Sequence, residues 1–288
     1  MIRNFIYLDS GKLRSLSSQL FEGVTEQVLS THSDTQAESE SQKGPVASGK
    51  LLGEIFSKES SSSELKFLED HAYTLLEERL SKSELIQNFD SVTPFSNTEK
   101  KFVKVTSKLK INDLALSATV MKNFNRVGEA LWRVTNEGQD KSASVKNLSD
   151  ADVKKKAREA GLQMNQKYLE SSAILLDFGF QDLLEANFSI QGGMFSAPLK
   201  REFLRESESM IVHKYSRYTQ ADFTIVGLIT QHGMIPDAGP PLSQIEGSQG
   251  MKQAMRVLAD YVRNMENTFS APLSNEAILD PIAIYSVI

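Results

Sequence analysis

The 288-residue sequence has no cysteine, one tryptophan, four histidines and no excess of basic charge. Without cysteine the chain can form neither a disulfide nor a thiolate metal site, and it has no cysteine nucleophile. The formal net charge of -5 excludes a protein-wide positive field that would gather nucleic acid or an anionic membrane. No window approaches the roughly 18 consecutive apolar residues of a membrane span, so we expect a soluble, cytoplasmic protein without a membrane partner.

The composition does contain enough apolar residues, 40%, to bury the core of one large domain or two ordinary ones. A polar linker over residues 137–147 suggests a boundary between two domains. Residues 1–140 are predicted to form a helix-rich domain with a mobile loop at 30–49, where the composition is Ser, Thr, Glu and Gln. Residues 141–288 are predicted to form an α+β domain. The expected fold class is therefore α+β, a helix-rich N-terminal half followed by a mixed sheet with packed helices.

Local patterns place the main elements of the first half. Residues 2–8 read as a strand, and Ser10 is expected to cap the helix that follows. Alternation of apolar residues with lysines over residues 102–111 predicts a strand with one solvated basic face. Asp113 is expected to open a helix with one buried apolar stripe, formed by Leu116, Val120, Phe124, Val127, Leu131 and Val134.

In the second half, Ser149 is expected to cap a basic helix, and Gly192 with Gly193 to form a two-residue hairpin turn. A later stripe at helical spacing comprises Met251, Met255, Leu258, Val262 and Met265, and its methionines are interpreted as core rather than as a binding groove. The apolar segment 282–288 is expected to pair inside a sheet, because it would otherwise be a sticky edge.

The densest cluster of polar groups lies in residues 195–231, where a charged helix over 201–217 is expected to lead into a buried strand at 223–229. Its cations are the predicted binding residues for a protein partner or a small anionic ligand: Lys200, Arg201, Arg205, Lys214 and Arg217. A solvated helix face laced with weak ion pairs would explain the same charges.

A catalytic interpretation of this helix rests on Glu206 and His213. With Glu202 and Arg217, these residues fall near one face of a continuous helix, where a carboxylate and an imidazole could act as acid and base. This alternative is a hydrolase acting on a phosphodiester or a similar polar substrate.

Other motifs support no cofactor and no metal. Residues 44–50 resemble a phosphate-binding loop, but Leu51 replaces the hydroxyl residue that binds magnesium and no hydrophobic strand precedes the segment. The four histidines lack metal-ligand spacing. Lysines at 100–110 and 154–156 lack interleaved aromatics for base stacking, so a protein partner is favoured over nucleic acid.

Several segments together resemble a bacterial family defined only as a domain of unknown function. They are FIYLD at residues 5–9, SLSSQLFEG at 15–23, QKGPVASG at 42–49, FLEDHAYTLLE at 67–77, LKREFLRE at 199–206 and PIAIY at 281–285. The resemblance runs nearly end to end. It implies a bacterial cytosolic protein, explains the Gly-Pro segment as a family feature, and supplies no activity or catalytic residues.

The leading hypothesis is a non-catalytic interaction or sensing protein that binds its partner or ligand through the C-terminal domain. A hydrolase is one alternative, and a structural subunit of a larger assembly is another. The last predicts an exposed apolar patch and self-association.

Overall fold

The computed structural model describes residues 2–20, 62–96, 98–136, 148–233 and 250–288. It has two compact units, each built from separate stretches of the chain: a sheet unit within residues 1–111, 186–235 and 272–288, and a helical unit within 112–185 and 236–271. This division differs from the expected boundary at residue 140, and the linker 137–147 lies outside the described residues, as does the loop 30–49.

Within the described residues, the sheet unit contains nearly all of seven strands and three α-helices. In chain order they are β1 (Arg3–Leu8), α1 (Ser10–Leu20), α2 (Ser62–Lys82), β2 (Ile86–Asp90), β3 (Phe102–Asp113), β4 (Leu184–Ile190), β5 (Gly193–Leu199), α6 (Glu208–Tyr215), β6 (Tyr218–His232) and β7 (Glu276–Val287). The helical unit contains α3 (Leu114–Asn136), α4 (Asp150–Glu159), α5 (Gln166–Phe180) and α7 (Met251–Ser270). The α+β class is confirmed, although strands as well as helices occur in the described part of the first half.

The sheet is mixed and forms a closed circuit. Its order is β1-β7-β5-β4-β3-β2, and β6 pairs with both β3 and β7, so five strands return to their starting point. The pairs β2–β3 and β5–β7 are parallel, whereas β1–β7, β3–β6 and β6–β7 are antiparallel. The predicted pairing of the apolar segment 282–288 is confirmed, because β7 has neighbours on both sides.

The main core of the sheet unit lies where α1 and α2 cover β1, β6 and β7. Its buried members include Phe5, Leu13, Tyr73, Leu76, Leu80, Val226, Ile282 and Tyr285. The rings of Phe5 and Tyr73 pack edge to face with centroids 5.2 Å apart. The alternation predicted for residues 102–111 is confirmed, since every second residue of β3 is buried.

Helix ends follow their capping residues, with one correction. Asp9 rather than Ser10 caps α1, because its Oδ1 accepts a hydrogen bond from the Lys12 amide at 2.9 Å and Ser10 is already helical. Ser149 caps α4 as predicted, with Oγ accepting from the Asp152 amide. Gly192 has φ +80° in the turn between β4 and β5, a conformation that glycine adopts without strain.

Candidate functional site

The predicted helix over residues 201–217 is interrupted, and the expectation of a continuous helix is wrong. A single 3₁₀ turn spans Arg201–Phe203, and α6 begins only at Glu208. Between them a short extended segment at Leu204 pairs with Tyr7, and the Arg205 amide donates to the Ile6 carbonyl at 2.9 Å, which places this segment at the edge of β1. The helical offsets that placed Glu202, Glu206, His213 and Arg217 on one face therefore do not apply.

Lys200 and Arg201 contact neighbours within this segment. The Lys200 ammonium lies 5.4 Å from the centroid of the Phe203 ring. One Nη of Arg201 donates to a carboxylate oxygen of Glu208, the first residue of α6. Both cations thus connect the 3₁₀ turn to residues beside it, and an anionic ligand would have to compete with Glu208 for Arg201.

Arg205 joins the extended segment to α2. Its Nη2 lies 2.7 Å from Asp70 Oδ1 and 3.4 Å from Glu69 Oε2, and only about a seventh of its side chain is exposed. Glu69 is itself buried. A guanidinium that is largely buried between two carboxylates stabilises the fold, and we therefore regard Arg205 as a structural residue.

Three of the remaining predicted residues lie at a groove of about 840 Å³ between α6 and the start of β6. It is lined by Val212, His213, Lys214, Tyr215, Ser216, Arg217, Gln220 and Ala221. The groove therefore brings together His213, Lys214 and Arg217. Ser216, with φ 68°, forms the bend between the helix and the strand.

Carboxylates already bind two of the groove's cations. Lys214 Nζ lies 2.6 Å from both carboxylate oxygens of Glu206, and Arg217 Nη1 lies 3.7 Å from Glu208 Oε1. Glu206 and His213 are both exposed, and Glu206 is absent from the groove lining. Glu206 thus binds Lys214, and His213 faces the groove without a carboxylate among the lining residues. The groove brings one histidine and two cations together, and Glu206 and His213 do not line it as a pair.

A buried charge cluster that the sequence analysis missed lies in the sheet unit around Glu77. Glu77 is 4% exposed, and its carboxylate binds Arg3 at 3.0 Å, Lys104 at 2.5 Å and the Tyr285 hydroxyl at 3.0 Å. The Arg3 guanidinium lies 5.3 Å from the centroid of the Tyr285 ring. These contacts tie β1, α2, β3 and β7 together.

The protonation of this cluster follows from its burial. Burial raises the pKa of Tyr285, and the Glu77 charge raises it further. Burial alone would lower the pKa of Lys104, but its contact with Glu77 outweighs that effect and the pKa is raised. The cluster thus favours a neutral tyrosine and a charged lysine. Its one sequence signal was Glu77 on the inward face of α2, four residues after Tyr73.

The apolar stripe of α3 faces solvent, and its predicted burial is wrong. Five members of the stripe are between 41% and 73% exposed: Leu116, Val120, Val127, Leu131 and Val134. The buried side of α3 instead carries Ala118, Gly128 and Trp132. A Cβ on Gly128 would lie 1.9 Å from the Leu162 carbonyl oxygen, so the helix packs through its small residues, which allow a close approach. Trp132 completes this side by packing on Val153 of α4.

The methionine stripe of α7 is exposed as well, and its assignment to the core is wrong. Met251, Met255, Leu258 and Val262 are between 39% and 74% exposed. The helix is held near its C-terminal end, where the Phe269 ring packs against Phe178 and Phe180 of α5 with centroids 6.0 and 5.8 Å apart. The helical unit therefore presents two apolar helix faces, on α3 and on α7.

Among the described residues, no three His, Asp or Glu side chains lie close enough together to hold a metal ion. In the same part of the chain, no helix is both long and apolar enough to cross a membrane. The segment 44–50, which resembles a phosphate-binding loop, lies outside the described residues.

These features define an α+β protein with a buried charge cluster in its sheet unit and exposed apolar faces on its helical unit. Residues 2–285 match the family described as Domain of unknown function (DUF6414), and the chain belongs to that family. The predicted resemblance to a family of this kind is confirmed. No curated protein and no solved structure matches the chain.

Proposed function

We propose that this protein is a non-catalytic interaction protein whose helical unit binds an apolar helix of a protein partner. The observation that carries the proposal is the exposed stripe of α3. Val120, Val127 and Val134 recur every seven residues, and Leu131 lies between the last two at the spacing of a helix-helix seam.

The flanks of the stripe favour an apolar partner. Asn123 and Ala130 border it on one side without charge, and Arg126 lies beyond them on that same side. Burying one Val or Leu side chain contributes about 1.5–3 kcal/mol before the cost of association is subtracted. Four such residues in one row are enough for a specific contact with the apolar face of an amphipathic helix.

The proposed binding surface does not include the five cations predicted from the sequence. Arg201, Arg205, Lys214 and Arg217 each contact a carboxylate of the same chain, so a partner that used them would first have to displace that carboxylate. We also propose a bacterial cytoplasmic setting, which the family resemblance implied and which the absence of cysteine fits.

The proposal is tested by placing a photo-crosslinking amino acid at Val127 in the full chain and irradiating the host cells. We expect one discrete protein adduct, identified by mass spectrometry, which Leu131→Asp abolishes. The matched control places the crosslinker at Lys155, which is exposed on α4 of the same unit. Absence of an adduct at position 127, or the same adducts at both positions, would rule out the proposed partner site.

A second candidate function is the binding of a small anion in the groove beside α6, and the convergence of His213, Lys214 and Arg217 favours it. Titration with pyrophosphate, followed by calorimetry, tests this candidate. Binding that Arg217→Ala weakens and Arg133→Ala leaves unchanged would support the groove. No heat of binding at millimolar pyrophosphate would end this candidate.

A further inference from the structure

The exposed methionine stripe of α7, called its seam below, has the residue spacing of a helix that pairs with another helix. Met251, Met255, Leu258, Val262 and Met265 alternate steps of four and three residues, which is the a and d pattern of a heptad repeat. A helix that buries its stripe within its own unit hides these positions. Here the first four face solvent and Met265 is half-buried.

The anchoring of α7 explains how this seam stays free. The Phe269 ring packs directly against Gly179 of α5. Only glycine allows this contact, because a Cβ at residue 179 would lie 2.4 Å from the ring. The contact fixes the helix near Phe269 and leaves the stretch from Met251 to Val262 with its apolar side uncovered.

The charged residues beside the seam indicate which helix can bind there. In the heptad register, Lys252, Ala259 and Glu266 occupy successive e positions, and Lys252 and Glu266 lie equally far on either side of Ala259. Lys252 and Glu266 are both exposed, and neither has an ion-pair partner among the residues that the structure describes. Antiparallel helices bring their e positions together, so this arrangement is complementary to a reversed copy of itself.

We propose that α7 pairs antiparallel with α7 of a second copy of this chain, about a two-fold axis near Ala259. Met255 of one copy then lies opposite Met265 of the other, and Leu258 lies opposite Val262. Lys252 of each copy meets Glu266 of its partner, so one isologous contact contains two ion pairs. A parallel pair would instead set e positions beside g positions, where Ala254 and Tyr261 carry no charge, so neither ion pair could form.

This self-association is independent of the partner proposed for α3, because it uses a different helix and a different occupant. If no partner crosslinks at Val127, the pairing of α7 is unaffected. If α7 does not pair, the proposed partner site on α3 is unaffected. The two experiments therefore fail separately.

Charge exchange tests the pairing in the full chain by sedimentation equilibrium. Lys252→Glu and Glu266→Lys each place like charges together and are expected to weaken the dimer about tenfold. The double variant restores the pairs in reversed order and should return the dissociation constant to near its original value. Arg256→Glu reverses a charge at an outward b position of the same helix and serves as the control, with no change expected.

Orientation has its own test, for which the absence of cysteine is an advantage. In an antiparallel pair, Ala259→Cys places two thiols near the axis, and a short bis-maleimide should link the copies. Two Lys252→Cys thiols would stand about 21 Å apart along the helices, given a rise of about 1.5 Å per residue, beyond the reach of that reagent.

Three outcomes would overturn the proposal. They are a monomer at 100 µM chain, charge variants without rescue in the double, and equal crosslinking at positions 252 and 259. Leu258→Asp should abolish the dimer, with the helical circular dichroism signal retained. If that variant does not fold, the surface charge exchanges still decide the question.

Discussion

The Tyr285 hydroxyl donates to Glu77 across 208 residues of sequence, with Oη 3.0 Å from Oε1. The contact joins β7 to α2 inside the core of the sheet unit. Arg3 and Lys104 bind the same carboxylate, so Glu77 accepts from donors on three different strands. A substitution at Glu77 should therefore lower the stability of the whole sheet unit.

We expect Glu77→Gln to lower the free energy of unfolding by about 3 kcal/mol, because it leaves two cations without their counter-charge. Urea denaturation followed by circular dichroism measures this loss. Glu78→Gln is the matched control, since that neighbour is exposed and its 3.5 Å pair with Lys82 contributes at most about 0.5 kcal/mol. Equal urea midpoints for the two variants would show that the cluster does not stabilise the fold.

Stability should fall in alkaline solution. Burial raises the pKa of Tyr7, Tyr73 and Tyr285 in the folded protein. The unfolded chain, with tyrosine pKa values of about 10, loses these protons first as the pH rises. Their stabilising contribution is therefore complete below pH about 10 and decreases above it, by about 1.4 kcal/mol per pH unit for each tyrosine.

Urea midpoints between pH 8 and 11.5 measure this slope. Tyr73→Phe removes the contribution of one tyrosine and should make the decrease of the free energy of unfolding with pH smaller by about 1.4 kcal/mol per pH unit. Tyr218→Phe, at an exposed position, should leave it unchanged. A free energy of unfolding that stays constant from pH 9 to 11 would contradict the raised pKa values.

Arg205 and Arg217 were predicted to share a binding role, and their surroundings separate them. Arg205→Ala should lower the free energy of unfolding by about 2 kcal/mol, because it removes the nearer guanidinium from the buried Glu69, which among the described residues keeps only Arg14 at 3.8 Å. Arg217→Ala removes an exposed contact of 3.7 Å and should change it by less than about 0.5 kcal/mol. Thermal denaturation of both variants checks the difference, and equal losses would contradict a structural role specific to Arg205.

Gly128→Ala tests how α3 packs. Helix propensity alone predicts a gain of about 1 kcal/mol from this substitution. The new Cβ would meet the Leu162 carbonyl, so we expect a net loss of about 1–3 kcal/mol from overpacking. Thr119→Ala, at an exposed position on the same helix, is the control for propensity. A stabilised Gly128→Ala variant would mean that α3 does not approach Leu162 closely.

Local features of the fold could be predicted from the sequence because their causes lie within a few residues. Ser149 has the hydroxyl that a helix N-terminus needs, and the Gly192 turn needs the positive φ that glycine allows. The alternation of β3 shows directly which side chains are buried. β2 was missed, because its short sequence is largely polar and is followed by Pro94.

The direction in which α3 faces could not be predicted. An apolar stripe at helical spacing looks the same whether it meets the core or a partner. The side that packs is made of Ala118 and Gly128, whose small side chains give no hydrophobic signal. Glu77 was missed for another reason: its partners Lys104 and Tyr285 come from distant parts of the chain.

The closed circuit of strands also has a consequence for the order of folding. Among the strands that the structure describes, β7 comes last along the chain, yet β1, β5 and β6 all pair with it. During synthesis each of these three strands therefore has an unpaired edge until β7 has been made, and unpaired strand edges promote aggregation. Contacts between such distant residues make folding slow. We expect the nascent chain to depend on chaperones until Glu276–Val287 has been made, whereas α3, α4 and α5, which are neighbours in sequence, can pack well before then.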